Sequence, residues 1–310
     1  MSIRTILTHF TDDPATAAVR MALAAATDLQ AHVVGLYVEA PASRTPTPTY
    51  AVDAAGLGAG SFGMSGVRAQ IATGPDPIVE ATRRRDQQAS TAKAGFRILC
   101  RERSIEFLDE DERDLWHDHP LPSASFRHES GTLLQAIDAH AHAYDMLVME
   151  SATVSKQPKS ARSAIETALM RSRRPVLLAP SAPPEHLNGH ALVAWNDSPE
   201  CWHALSAALP FLKLAADVTL FHAGSGHDGK LAEERAAEYL AWHGIAADLM
   251  QHEPDGANVA DYLMSECGRQ DVGLMVMGAY SHSPLREKLL GGVTLTMLSN
   301  SAATPVLMMH

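Results

Sequence analysis

Leu274-Met-Val-Met277 leads straight into Gly278-Ala-Tyr-Ser281, and nine residues later the chain reads Gly291-Gly-Val-Thr294 before a helix-like segment. The first four residues have the composition of a buried strand, and the glycines open a small-residue loop that ends at a helix start. This order suits an anion. Backbone N–H groups converge on it, the helix dipole favours it, and the missing side chains let it come close. Ligands of parallel α/β sheets sit at such strand ends, so the stretch predicts both a fold class and a place for a site.

The rest of the chain repeats this grammar. Arg4-Thr-Ile-Leu-Thr-His-Phe10 followed by Thr-Asp-Asp-Pro14 matches Ala191-Leu-Val-Ala-Trp195 followed by Asn-Asp-Ser-Pro199. Each is a short apolar strand, a polar turn and a proline that opens a helix. Ala31–Val38 matches Asp217–Ala223, Asp145–Met149 matches Leu274–Met277, and Arg174-Pro-Val-Leu-Leu178 matches Thr304-Pro-Val-Leu-Met308. Four matches in one order indicate duplication. The intervening stretches Ala15–Leu29, Gly131–His142, Glu200–Leu214 and Asn258–Gly268 carry helical spacing. Strands alternating with helices predict parallel sheets covered on both faces. The expected architecture is two tandem doubly wound α/β domains, residues 1–180 and 190–310, each with a parallel five-stranded sheet, joined by a linker near 181–189.

The first strands of the two halves lie 185 residues apart and the fourth about 128, so the first half carries about 57 extra residues. Much of the excess is Pro41–Gly74, rich in Gly, Pro, Ser and Thr, with five glycines from Gly56 to Gly66. Such a composition buries too little apolar surface to order itself, so a mobile insertion is expected there. A long helix over about Pro75–Glu106 and the charged run Asp109–His119 account for the remainder.

Composition narrows the function classes. Lys and Arg number 25 against 36 Asp and Glu, a net charge of −11. A nucleic-acid partner needs a basic face, and this balance argues against one. No apolar run reaches the roughly 20 residues that span a bilayer. The N-terminus enters a strand pattern at once, without signal-peptide architecture, which points to the cytoplasm. Cys100, Cys201 and Cys267 are too scattered for a disulfide or metal framework and read as buried thiols. His117-Asp-His119 and His140-Ala-His142 lack a companion cluster, so no metal site is expected. Walker and Gly-x-Ser-x-Gly patterns are absent.

The glycine spacing from Gly278 to Thr294 resembles the Gly-x2-Gly-x9-Gly-[Ser/Thr] loop of the universal stress protein family, many of whose members bind ATP. The resemblance covers nearly the whole chain outside Pro41–Gly74 and is strongest over Val193–Ser198, Leu274–Thr294 and Thr304–Leu307. It implies that Ala194, Trp195 and Asn196 contact the nucleoside and that the backbone at His222-Ala223 meets adenine. It further implies that Met277, Gly278 and Ser281 flank the phosphates and that Gly291, Gly292, Val293 and Thr294 form the helix-start nest. Mg²⁺ would accompany ATP. In relatives the last strand pairs the domains, here Pro175–Leu178 against Pro305–Met308, giving a pseudo-dimer; a homodimer is expected beyond that.

Three positions depart from the pattern. Ser281 replaces its second glycine, Gly292 its Ser/Thr, and Asn196 keeps the shape of the usual nucleoside-contacting Asp without its charge. The first half has lost the loop: it reads Glu150-Ser-Ala-Thr153-(nine residues)-Ser163-Ala-Ile-Glu166. Two carboxylates there would repel a triphosphate, and Thr11 stands at the Asp position. Lys156, Lys159, Arg162, Arg171, Arg173 and Arg174 read as a solvated basic face. The expected function is a non-enzymatic stress-response regulator that binds adenine nucleotide in its C-terminal half and acts on unidentified protein partners. The alternatives are an interaction scaffold without nucleotide, or a slow ATPase using Asp197 or His282 to orient water.

Overall fold

The structure is a computed structural model and describes residues 2–39, 77–109, 119–155, 157–223, 227–252, 259–280, 292–300 and 303–310. The insertion at 41–74, His117, Lys156, Ser281, His282 and Gly291 lie outside the described residues.

The first half contributes β1 (Thr5–Phe10), α1 (Ala17–Leu29), β2 (His32–Glu39), α2 (Pro77–Glu102), β3 (Glu106–Leu108), β4 (Ser123–Ser130), α3 (Leu133–His140), β5 (Met146–Glu150), α4 (Pro158–Thr167) and β6 (Val176–Ala179). The second contributes β7 (His190–Trp195), α5 (Pro199–Leu212), β8 (Val218–Ala223), α6 (His227–Trp242), β9 (Asp248–His252), α7 (Val259–Arg269), β10 (Val272–Gly278), α8 (Gly292–Asn300) and β11 (Val306–Met309).

The described strands form a single sheet in the order β3-β4-β2-β1-β5-β6-β11-β10-β7-β8-β9. Every neighbouring pair is parallel except β6 and β11, which run antiparallel with Leu178 opposite Val306 and Val176 opposite Met308. An antiparallel join between two equivalent last strands is what a pseudo-twofold axis requires. Both strands are apolar edges, and each covers the other.

One expectation needs correcting. The long helix stops at Glu102, not Glu106, and the chain then turns through Ser104, at φ 55°, into β3. β3 pairs with β4 and gives the first half a sixth strand that the repeat does not contain. Ile105 and Leu108 are buried beneath it, which explains why a short charged segment still holds a strand.

Strand residues alternate between two helical layers. Ile6, Phe10, Val33 and Tyr37 pack with α1, α2, α5 and α6, while Leu7, Val34, Leu36 and Val38 pack with α3, α4, α7 and α8. Helix starts follow the sequence signals: Thr16 caps α1 by accepting from Val19 N at 3.2 Å, and Ser198 caps α5 by accepting from Cys201 N at 3.2 Å. Cys100, Cys201 and Cys267 are all buried and unbonded to one another.

Candidate functional site

In the second half β7 lies between β8 and β10, so the strand order reverses there and the crevice opens at the carboxyl ends of β7 and β10. β7 stops at Trp195. Asn196 Oδ1 accepts from Ser198 N at 3.1 Å, a local turn that competes with further strand. Asp197 adopts the left-handed conformation, φ 57°, which Asp tolerates better than most residues. Its carboxylate is engaged at both oxygens. Trp202 Nε1 donates to Oδ1 at 3.0 Å and Arg235 to Oδ2 at 2.7 Å, tying α6 to the turn before α5.

Trp195 is buried and meets Trp202 edge-on, with ring centroids 4.8 Å apart, and Trp202 meets Tyr239 in the same way at 5.7 Å. Trp195 Nε1 is buried and makes no hydrogen bond among the described residues. Beside it on β8, His222 Nδ1 lies 3.2 Å from the Trp195 carbonyl and donates to it. Behind His222, the buried carboxylate of Glu233 accepts from Gln251 Nε2 at 2.9 and 3.0 Å. Sequence reasoning missed Arg235 and Glu233, because neither belongs to a motif and each reaches the site from α6. Ala223 closes β8 at the same rim.

On the other side of the crevice, the register places Met277 of β10 next to Ala194 of β7. Gly278 ends β10 against the start of α5. A Cβ there would stand 2.7 Å from Cys201 N and 2.8 Å from Glu200 C, both backbone atoms that cannot move aside. Gly278 therefore has a packing role whatever else binds nearby. Tyr280 follows in the left-handed conformation, φ 58°, and its N–H points to Thr294 Oγ1 at 3.5 Å. Gly292, Val293 and Thr294 form the first turn of α8, where backbone N–H groups have no intrahelical acceptor. The structure thus gathers Ala194, Trp195, Asn196, Ala223, Met277, Gly278, Val293 and Thr294 along one rim.

The first half uses the same ground differently. Thr8 pairs with Val148 as Val193 pairs with Val276, which makes Glu150 the counterpart of Gly278 and His9 that of Ala194. Glu150 Oε1 accepts from Ala17 N, in the first turn of α1, at 3.2 Å. A carboxylate of the chain itself therefore serves the helix start. His9 is held in its uncharged form by burial, which pushes its pKa down to about 4. Glu166 is shared between Arg162 at 3.0 Å and the Tyr280 hydroxyl at 3.3 Å. Glu39, Arg85 and His128 form a further ion-pair cluster at the ends of β2 and β4, at 2.7 and 2.9 Å. The basic face is only partly free: Arg162 pairs with Glu166 and Arg171 with Asp138.

Among the described residues no group of three or more His, Cys, Asp or Glu side chains could hold a metal ion. His140 is committed to Glu129 at 2.9 Å and Arg127 at 3.2 Å. No described helix is long and apolar enough to cross a membrane.

No protein-family model and no curated protein matches the sequence. Solved structures do resemble the fold. A universal stress protein from Archaeoglobus fulgidus DSM 4304 superposes over 98% of this chain and 97% of its own, with a TM-score of 0.64 at 12% identity. A candidate universal stress protein from Pseudomonas aeruginosa UCBPP-PA14 covers 99% of this chain and 93% of its own, with a TM-score of 0.52 at 15% identity. At such identities the likeness is one of fold, and it extends over both halves. The chain is a tandem universal stress protein-like fold, two doubly wound units joined through their last strands.

Proposed function

We propose that the protein is a regulator of the universal stress protein type whose C-terminal half binds ATP, or a related adenine nucleotide, without efficient turnover. The observation that carries this reading is the convergence at the switch point: Ala194 beside Met277, Gly278 at the strand end, and the first turn of α8 linked to the residue after Ala279 through Tyr280 N and Thr294 Oγ1. That combination offers a nucleoside wall on one side and anion-binding N–H groups on the other. In the first half Glu150 stands at the position of Gly278, and Ser163–Glu166, the counterparts of Gly291–Thr294, lie inside α4, where the backbone N–H groups are taken up by the helix. Mg²⁺ would enter with the triphosphate, the described side chains providing no cage of their own. No described residue at the rim has the freedom of a general base, which is why turnover is not expected.

The test is calorimetry with ATP and Mg²⁺, preceded by analysis of denatured protein for carried nucleotide. One ATP per chain is expected, weakened about tenfold by Thr294→Val through loss of one hydroxyl contact to phosphate. Gly278→Glu should abolish binding but also strains α5, so Thr294→Val is the discriminating variant. Absence of binding and of carried nucleotide would leave the second reading, an interaction scaffold. That reading draws on one observation: Asn196 and Asp197 are already committed to internal hydrogen bonds.

Cytoplasmic location and a homodimer belong to the same proposal. The β6–β11 pairing is satisfied within the chain, so a dimer would have to use a different surface. Light scattering at graded concentration would reveal it.

A further inference from the structure

A cavity of about 190 Å³ lies where the two halves meet, beside the start of β6 and the end of β11. Ile3 and Pro175 from the first half, with Ala207 and Met309 from the second, supply its apolar wall. Its charged lining is dominated by cations. Arg173 and Arg174 stand next to each other, and the imidazole of His203 on α5 adds a hydrogen-bonding group from the other half.

One carboxylate, Asp145, also lines the cavity and offsets one of the two arginines, while one of its oxygens is turned to the start of β1. Its Oδ2 accepts from Arg4 N at 2.8 Å, Thr5 N at 3.0 Å and Thr5 Oγ1 at 3.1 Å, which anchors the start of β1. Arg174 gives one nitrogen to the His142 carbonyl at 3.0 Å. The Arg173 guanidinium makes no hydrogen bond or ion pair among the described residues, whereas the neighbouring Arg171 pairs with Asp138. Arg173 also holds the left-handed conformation, φ 52°, uncommon for a long side chain, at the point where the chain turns into β6. Two adjacent guanidinium groups against one carboxylate, with an imidazole beside them and an apolar wall behind, leave donors in excess of acceptors.

We propose that this junction cavity binds a small organic carboxylate. The carboxylate would sit on Arg173 and His203, and the apolar body against Ile3, Ala207 and Met309. The volume falls below the roughly 300–1,000 Å³ of pockets for drug-sized ligands, so the occupant is a single ring or a short branched chain. An inorganic anion would leave the apolar wall unused. Because both halves supply the lining, occupancy ties them together and raises thermal stability by mass action. The cavity shares no residue with the nucleotide rim, so the two sites can fail separately.

Benzoate and isovalerate are suitable probes, followed by calorimetry and thermal unfolding at fixed ionic strength, with benzylammonium as the charge-reversed control. Saturable binding of at least one carboxylate, one per chain, with a raised unfolding midpoint and no response to benzylammonium, is the expected result. Arg173→Asn combined with His203→Gln should weaken it at least about tenfold, since charge-assisted contacts are lost. Asn tolerates the left-handed backbone, which protects the fold. Should that variant misfold, Ala207→Leu narrows the same cavity and should likewise block binding. Failure of both probes, equal binding of benzylammonium, or unchanged affinity in a folded variant would overturn the proposal.

Discussion

The Tyr280 hydroxyl donates to Glu166 Oε1 at 3.3 Å, joining the end of β10 in one half to α4 in the other. Near it, Ala152 N donates to the Leu298 carbonyl of α8 at 3.3 Å. The segments that follow β5 in one half and β10 in the other therefore touch across the pseudo-twofold. Tyr280→Phe should cost about 1 kcal/mol in urea unfolding, the worth of one partly exposed hydrogen bond. If nucleotide binds as proposed, the same variant should leave affinity for ATP unchanged while lowering the stabilisation that ATP confers on the first half. Hydrogen exchange across α4 would show that; an unaltered response would remove this contact from the coupling.

Equivalent positions with different residues should each lose stability on substitution, by different mechanisms. Gly278→Ala forces a methyl onto the α5 backbone and should destabilise by roughly 1–3 kcal/mol through overpacking. Glu150→Ala, at the matching place in the first half, removes an acceptor from the start of α1 and should cost about 1 kcal/mol. Denaturant midpoints should fall for both; a Gly278→Ala chain as stable as the native one would show that α5 does not constrain position 278.

Two half-buried strand histidines set an acid limit. His9 is pushed down to about 4 by burial. His32 is pushed to about 4 by burial first and by the nearby His119 charge second. Both take up protons more readily when unfolded. Their contribution is therefore fully present above the unfolded value near 6.5 and is lost progressively as pH falls toward 4, by about 2–3 kcal/mol each. Urea unfolding at pH 7.5 and pH 5 should show the fall. His9→Ala, which installs the residue found at position 194, should reduce the difference; an equal fall would show that His9 is not responsible.

The thiols should be silent in the native state. Burial pushes Cys100 and Cys267 up to about 12, and Cys201 is buried beneath the start of α5. Reaction with an aromatic disulfide reagent at pH 8 should be negligible for the folded protein and complete for all three thiols in denaturant. Rapid labelling of the native chain would mean that α2, α5 or α7 opens far more often than its packing implies.

Much of the architecture was present in the order of residues. Short apolar runs ending in Asn-Asp-Ser-Pro or Gly-Ala mark strand ends and helix starts through local forces alone: burial of alternate side chains, a capping hydroxyl, a proline with its fixed φ. That the two Pro-Val-Leu strands join the halves was implied by the family resemblance, and the covering of apolar edges supplies the physical reason. Residues far apart in sequence decided the rest. β3 forms because Ile105 and Leu108 find a core beside β4, although their own segment is charged. Gly278 is required by Cys201 and Glu200 of a helix that begins some eighty residues earlier. Asp197 lies in the motif, yet Arg235 fixes its carboxylate from α6. The junction cavity exists only because His203 and Ala207 of one half come to rest beside Arg173 of the other. Local sequence sets what each segment can become; close approach between distant segments sets which side chains are spent on packing and which remain for binding.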